Sequence, residues 1–226
     1  MIALPAVDGE GRKVSVVSRV VEEIRNMMRT GELMPGQQVR QEQLAVRLGV
    51  SRVPVREALK ALESERVLRH SPNVGYSVAR LNADELRQTY LMRRALETEV
   101  LLAVPRLGAT ELRELTEINN SIVDEVDTGD VARIAAINHD FHFAIFRHSG
   151  LNIVVDEIER IWGMTEAYRS VHLYDEKARK RVVREHRTMI GALRRGDNAG
   201  LVELMNTHRD ITVADLNRAV LLRHDR

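Results

Sequence analysis

Val17, Val20, Val21, Ile24, Met27 and Met28 recur at intervals of three and four, the spacing that lines one buried face of a helix from about Ser15 to Thr30. Gly31 and the Pro35-Gly36 pair end that helix and turn the chain. A short helix is expected over Gln41 to Leu48, followed by the break Gly49-Val50-Ser51. Ser51 is a suitable N-cap for a third helix, and Pro54 falls in its first turn, where a missing N–H is harmless. This third helix buries Val55, Ala58, Leu59 and Leu62 along one side. Val67–His70 and Tyr76–Arg80 are two β-rich runs around Ser71-Pro72-Asn73-Val74-Gly75, which reads as a hairpin.

Beyond Leu81 the pattern changes to helix after helix. Six are expected, at about 83–104, 109–128, 130–148, 151–172, 175–195 and 197–222, each starting near Asn82, Thr110, Asp130, Asn152, Asp175 or Asp197. Helices of this length pack as an antiparallel bundle. The fold class is therefore mainly α. A winged helix-turn-helix occupies residues 1–80, a linker 81–84, and an all-helical domain 85–226.

Composition narrows the setting. The chain has 226 residues and no cysteine, so disulfides and thiolate metal sites are excluded. No stretch approaches 18 uninterrupted apolar residues and the first 13 carry no signal-peptide pattern, which points to a cytoplasmic protein without a membrane partner. The net charge of +1 conceals an asymmetry: residues 1–80 carry 13 Lys+Arg against 9 Asp+Glu, a balance of +4, and the remainder 21 against 24, a balance of −3. The basic front half suits a polyanion.

In the front half, Arg52, Arg56 and Lys60 are spaced i, i+4, i+8 and project away from the Val55/Leu59/Leu62 stripe. Three basic residues in a row of this kind are also what any solvated face carries. Here, though, a helix pair and a hairpin frame them, as in a groove-binding helix. Arginine near the start of such a helix can take guanine O6 and N7 together, worth about 1–3 kcal/mol of discrimination. Arg40 and the Gly75 wing tip would reach phosphates or the minor groove. The run Gly31-x3-Pro35-Gly36, then Leu44-Ala45-x2-Leu48-Gly49-Val50-Ser51-Arg52-x-Pro54-Val55-Arg56-Glu57-Ala58-Leu59-x2-Leu62-Glu63, resembles the N-terminal signature of the GntR family of regulators over about 65 residues. The resemblance implies that Arg52 and Arg56 contact bases, with Arg40, Ser51, Lys60 and Gly75 in the same DNA-binding set. The chain departs from the family at Arg66, where Gly is usual.

In the back half, His142, His186 and His208 each fall on the apolar side of a different expected helix. Burying three neutral imidazoles is costly unless each finds a partner. Either backbone and carboxylate groups satisfy them one by one, or a divalent metal satisfies all three. The segments Asn138-x2-Phe141-His142-x5-His148-Ser149-Gly150-x-Asn152, Glu185-His186-x3-Ile190-x-Ala192-Leu193-x2-Gly196-Asp197 and His208, with Arg93-x2-Leu96-Glu97, are similar to the C-terminal FCD domain of the FadR branch of GntR regulators, and the six helices look like its VanR-type subgroup. That resemblance implies a metal held by Asn138, His142, His186 and His208: zinc first, nickel or manganese as alternatives. Asn138 stands where the family commonly has Asp, which leaves the metal one charge more positive.

The resemblance further implies a homodimeric repressor that binds near-palindromic double-stranded DNA and is released by a small carboxylate effector at or near the metal. Arg93 would be the effector's bidentate partner, or a structural partner of Glu97, which is equally near. Tyr168 and Arg169 are further candidates for the pocket lining. Two rivals stand beside this reading. A metalloenzyme would need a general base beside the histidines, and only Glu185 is adjacent, on another helical azimuth. A DNA-binding protein with a purely structural metal would ignore organic acids.

Overall fold

The computed structural model describes residues 15–169, 173 and 175–224, with side chains up to residue 216 apart from that of Arg169, so the pocket-lining expectation for Arg169 lies outside the described set. Residues 170–172, the end of one expected helix, lie outside the described set. The chain divides into two compact units at Arg80/Leu81.

In the first unit, helix α1 (Val16–Arg29) is capped by Ser15, whose hydroxyl accepts from the Ser18 N–H at 3.0 Å. It buries Val20, Ile24, Met27 and Met28 and packs against α3. Strand β1 (Gln38–Val39) precedes α2 (Gln41–Leu48), which ends at Gly49 in the left-handed region, φ 63°. Helix α3 (Arg52–Ser64) buries Val55, Ala58, Leu59 and Leu62 as its periodicity requires. Ser51 occupies the N-cap position, but its side chain makes no capping hydrogen bond. Strands β2 (Leu68–Ser71) and β3 (Gly75–Val78) form the hairpin, and β1 joins β3 on the other side, giving an antiparallel sheet of order β1-β3-β2. The hairpin tip follows its residues. Pro72 and Asn73 are the corners of a turn closed by Val74 N–H to Ser71 O at 3.1 Å, and Asn73 takes φ 64°.

Arg66 explains the family departure in physical terms. The end of α3 is a Schellman motif: Val67 N–H donates to Leu62 O and Arg66 N–H to Glu63 O, both at 2.9 Å. Such a motif needs a left-handed residue, and Arg66 supplies it at φ 62°. Glycine would take that conformation without a Cβ penalty.

The second unit contains α4 (Ala83–Leu102), α5 (Ala109–Val126), α6 (Val131–Arg147), α7 (Asn152–Met164), the single turn α8 (Glu166–Arg169), α9 (Glu176–Arg195) and α10 (Asn198–His224). Asn82 and Glu85 form a reciprocal capping box at the start of α4, so the second unit's first helix follows Arg80 almost at once. Asp130, Asp175 and Asp197 cap the helices that follow them. Thr110 and Asn152 instead lie inside their helices, behind Gly108 and Leu151. The helix expected over 151–172 is interrupted at Thr165, a fully buried residue whose hydroxyl donates to Trp162 O at 3.1 Å. Phe141, Phe143, Phe146, Trp162, Met189 and Leu193 fill the main core between α4, α5, α6, α7, α9 and α10. No helix among the described residues is long and apolar enough to cross a membrane.

Candidate DNA-reading helix and histidine cluster

The outer face of α3 carries the charge that the sequence led us to expect. The side chains of Arg52, Arg56 and Lys60 are 70%, 55% and 57% exposed. Among the described residues their ion-pair partners are exposed acids: Glu42 lies 3.0 Å from Arg52, and Glu57 lies 3.6 Å from Arg56 and 3.8 Å from Lys60. Pairs of this kind contribute at most about 1 kcal/mol, so a phosphate or base edge can displace them. Gln41 Nε2 donates to Arg52 O at 3.1 Å, which ties the start of α3 to α2. Arg40, the N-cap residue of α2, and Ser51 are both exposed. On the wing, Gly75 takes φ 90°, and the cross-strand pair His70/Tyr76 brings their rings to 4.7 Å. Arg69 and His70 are exposed on β2, a basic contribution from the wing that the hairpin reading had left unassigned.

In the second unit, His142 on α6, His186 on α9 and His208 on α10 converge: one ring nitrogen from each lies within 4.8 Å of the others, and all three residues are buried. Their ring centroids are 4.9, 5.1 and 5.5 Å apart. Two of the rings are held from behind. His208 Nδ1 lies 2.6 Å from Glu185 Oε2, and because a carboxylate can only accept, Nδ1 is the donor and Nε2 is the ring nitrogen left for another partner. His186 Nδ1 lies 3.2 Å from Asn119 Oδ1, and the Asn119 amide is oriented by donating to Val183 O at 3.3 Å. Phe141 stacks on His186 with centroids 3.9 Å apart. Burial, then the neighbouring His208, push the His186 imidazole well below its usual range, so it is neutral at pH 7.

Two buried atoms test whether this cluster suits a metal. His186 Nε2 and Asn138 Oδ1 have no hydrogen-bond partner among the described residues. Leaving such groups unsatisfied costs about 1–3 kcal/mol each. Asn138 stands one turn before His142 on α6, on the same side. Three converging imidazoles, two of them tied at Nδ1, with an amide oxygen beside them are a donor set for a divalent ion, so the residues fit. Glu185, set aside in the sequence reading, and Asn119, absent from it, are the two supports that pairing patterns along one chain do not display.

Arg93 lies beside this cluster in a buried electrostatic web. Its Nε donates to Glu97 Oε1 at 2.8 Å, and its guanidinium carbon sits 4.0 Å from the Trp162 ring centroid. Trp162 Nε1 also donates to Glu97 Oε1, at 2.7 Å, while the Trp162 ring lies 5.3 Å from His142. Arg209, next to His208 on α10, donates to Glu97 Oε2 through Nη2 at 2.6 Å and Nε at 3.1 Å. Burial alone would raise the Glu97 carboxyl; Arg93 and Arg209 more than offset this and hold it at about 2. The structural partner of Arg93 is thus present, and no hydrogen bond of its two terminal nitrogens is found among the described residues. Tyr168 accepts the Leu81 N–H at 2.8 Å and packs with Leu86, Tyr90 and Leu216.

A winged helix-turn-helix with an exposed basic helix, in a chain whose second unit is an α-bundle enclosing a histidine cluster, defines a DNA-binding regulator of two domains. The chain belongs to the GntR family of bacterial regulatory proteins: residues 16–78 match the gntR family description and residues 88–210 the FCD domain. It is 29% identical over 219 residues to the HTH-type transcriptional regulator McbR of Escherichia coli K12, covering 93% of this chain and 98% of that protein. It is 25% identical over 206 residues to the gluconate operon transcriptional repressor of Bacillus subtilis, covering 88% and 84% respectively. The solved structure of E. coli McbR/YncC superposes with a TM-score of 0.83 at 27% identity, over 92% of this chain and 99% of the other. The protein is a transcription regulator.

Proposed function

We propose that the chain acts as a homodimeric repressor of near-palindromic operators, controlled by a small organic acid bound at a metal in the second unit. The observation that carries this reading is the convergence of His142, His186 and His208 within 4.8 Å in a buried site. Zinc suits this donor set best, with nickel or manganese as alternatives, held by the three imidazoles with Asn138 Oδ1 beside them. When bound, the ion offers a carboxylate a Lewis-acidic anchor. The terminal nitrogens of Arg93 present a second, charge-assisted contact for the same ligand.

In the first unit, Arg52 and Arg56 read base edges, Lys60 and Arg40 hold phosphates, Ser51 contacts the backbone at the helix start, and the wing at Gly75 reaches an adjacent groove. Two-fold pairing of the chain places two such helices in grooves one or more turns apart, about 34 Å or a multiple of it. Effector binding shifts the population of two arrangements, and the loss of operator affinity cannot exceed the effector's differential affinity for them.

The decisive experiment is operator binding by fluorescence anisotropy at fixed salt, on DNA selected from random duplexes. It is run with and without chelator, and across a panel of small carboxylates first screened by thermal shift. The proposal expects one divalent ion per chain, lost in His186→Ala, and a carboxylate that both stabilises the protein and weakens operator binding. Unchanged metal content in that variant sinks the metal site. A tightly bound carboxylate that leaves operator affinity unchanged sinks the control mechanism. A chain that stays monomeric on its operator removes the two-fold model.

A further inference from the structure

Val53 is an apolar side chain left 58% exposed among the charged Arg52, Arg56, Glu57 and Lys60 of α3. Its direction is set by helix geometry. At about 100° per residue, the buried set Val55, Ala58, Leu59 and Leu62 centres about 170° from Val53. Val53 therefore points almost straight away from the core, in the second position of the helix. Lys60 is about 20° from it, Glu57 about 40° and Arg56 about 60°, whereas Arg52 lies about 100° round the helix. Any duplex that receives the Arg56 side of the start of α3 in its major groove meets Val53 beside it. A β-branched residue is a poor helix former at an exposed site, so local helix stability gives no reason for it.

The one apolar group on the floor of the major groove is the thymine 5-methyl. We propose that Val53 is a specificity-determining residue that packs its methyl groups against the 5-methyl of one thymine in each operator half-site. This rests on the reading in which α3 enters the groove with Arg52 and Arg56 on base edges. Charged neighbours supply hydrogen bonds and phosphate contacts, and Val53 adds discrimination of thymine from cytosine, which has no 5-methyl, at a position they do not read.

The test replaces each thymine of the selected operator, in both half-sites together, by deoxyuridine, which removes only the methyl. Kd values are measured by anisotropy at fixed salt for the full-length protein and for Val53→Ala, Val53→Thr, Arg52→Ala and Arg56→Ala. Wild type is expected to lose about fourfold per half-site at one thymine position, the worth of one buried methyl-sized group. Val53→Ala should bind thymine and deoxyuridine operators equally there, and Val53→Thr, which keeps one methyl, should retain the preference. If the arginine variants lose sequence preference while Val53→Ala keeps the full thymine/deoxyuridine ratio at every position, the proposal fails and the docking reading survives. If the arginine variants bind as wild type does, the docking reading itself fails, and this proposal with it.

Discussion

Glu185 and His208 stand on neighbouring helices, 23 residues apart, with the Glu185 carboxylate 2.6 Å from His208 Nδ1. That contact ties up Nδ1 and leaves Nε2 as the nitrogen available on the side of His142 and His186. Supports of this kind raise ligand basicity and commonly change metal affinity by about 10–100-fold when removed. Glu185→Gln is therefore expected to keep the fold and weaken divalent-ion binding by about tenfold or more, measured by competition with a chromophoric chelator. Affinity equal to wild type would mean that His208 is not held for a metal.

Glu97 is enclosed by Arg93, Arg209 and Trp162 and is wholly buried. Its carboxyl is lowered from 4.5 to about 2 because the two guanidinium groups outweigh the cost of burial. The folded value lies below the unfolded one, so its stabilisation is present above pH about 4.5 and is lost as pH falls towards 2. On this shift it amounts to about 3 kcal/mol. Glu97→Gln leaves two buried cations under-compensated and should cost about 3–5 kcal/mol at pH 7. The wild-type advantage, followed by urea unfolding of the second unit, should shrink steadily between pH 4.5 and 2. An advantage independent of pH would contradict the assignment.

Much of this was legible in the sequence, and the exceptions share a cause. The stripes Val20/Ile24/Met27 and Val55/Leu59/Leu62 announce α1 and α3 because helical periodicity is a local property. His142, His186 and His208 were placed inward by the same reasoning. Strand β1 was missed because two residues carry no period, and it exists only by pairing with β3. The break at Thr165 was missed because packing sets it, and its one sequence clue was Gly163 shortly before. Arg209, Glu185 and Asn119 acquire their roles from residues 112, 23 and 67 positions away, and no single-helix pattern contains such partners.

Arg66 offers a test of a local rule. It sits at φ 62° in the Schellman motif that turns α3 into the wing. Arg66→Gly should stabilise the first unit by about 0.5–1 kcal/mol, since glycine takes this conformation without steric cost. Amide hydrogen exchange at Leu59 and Leu62 is the suitable readout because it reports opening of this unit alone. Protection should rise about two- to fivefold. Unchanged or faster exchange would show that the Arg66 side chain compensates for its backbone.

Arg93 holds Glu97 in the structure and is the proposed second contact of the ligand, and the two roles can be separated by a substitution that keeps the charge. Lysine can still neutralise Glu97, which also retains Arg209 and Trp162 as partners. It cannot stack as a plane on Trp162 or offer two parallel N–H groups to a second carboxylate. Arg93→Lys should therefore leave metal content and the melting temperature of the ligand-free protein close to wild type. Affinity for the proposed releasing carboxylate should fall at least tenfold by calorimetry, because a bidentate charge-assisted contact would become a single one. A variant that loses stability but binds the carboxylate as before would confine Arg93 to the Glu97 web and move the ligand's second contact elsewhere in the bundle.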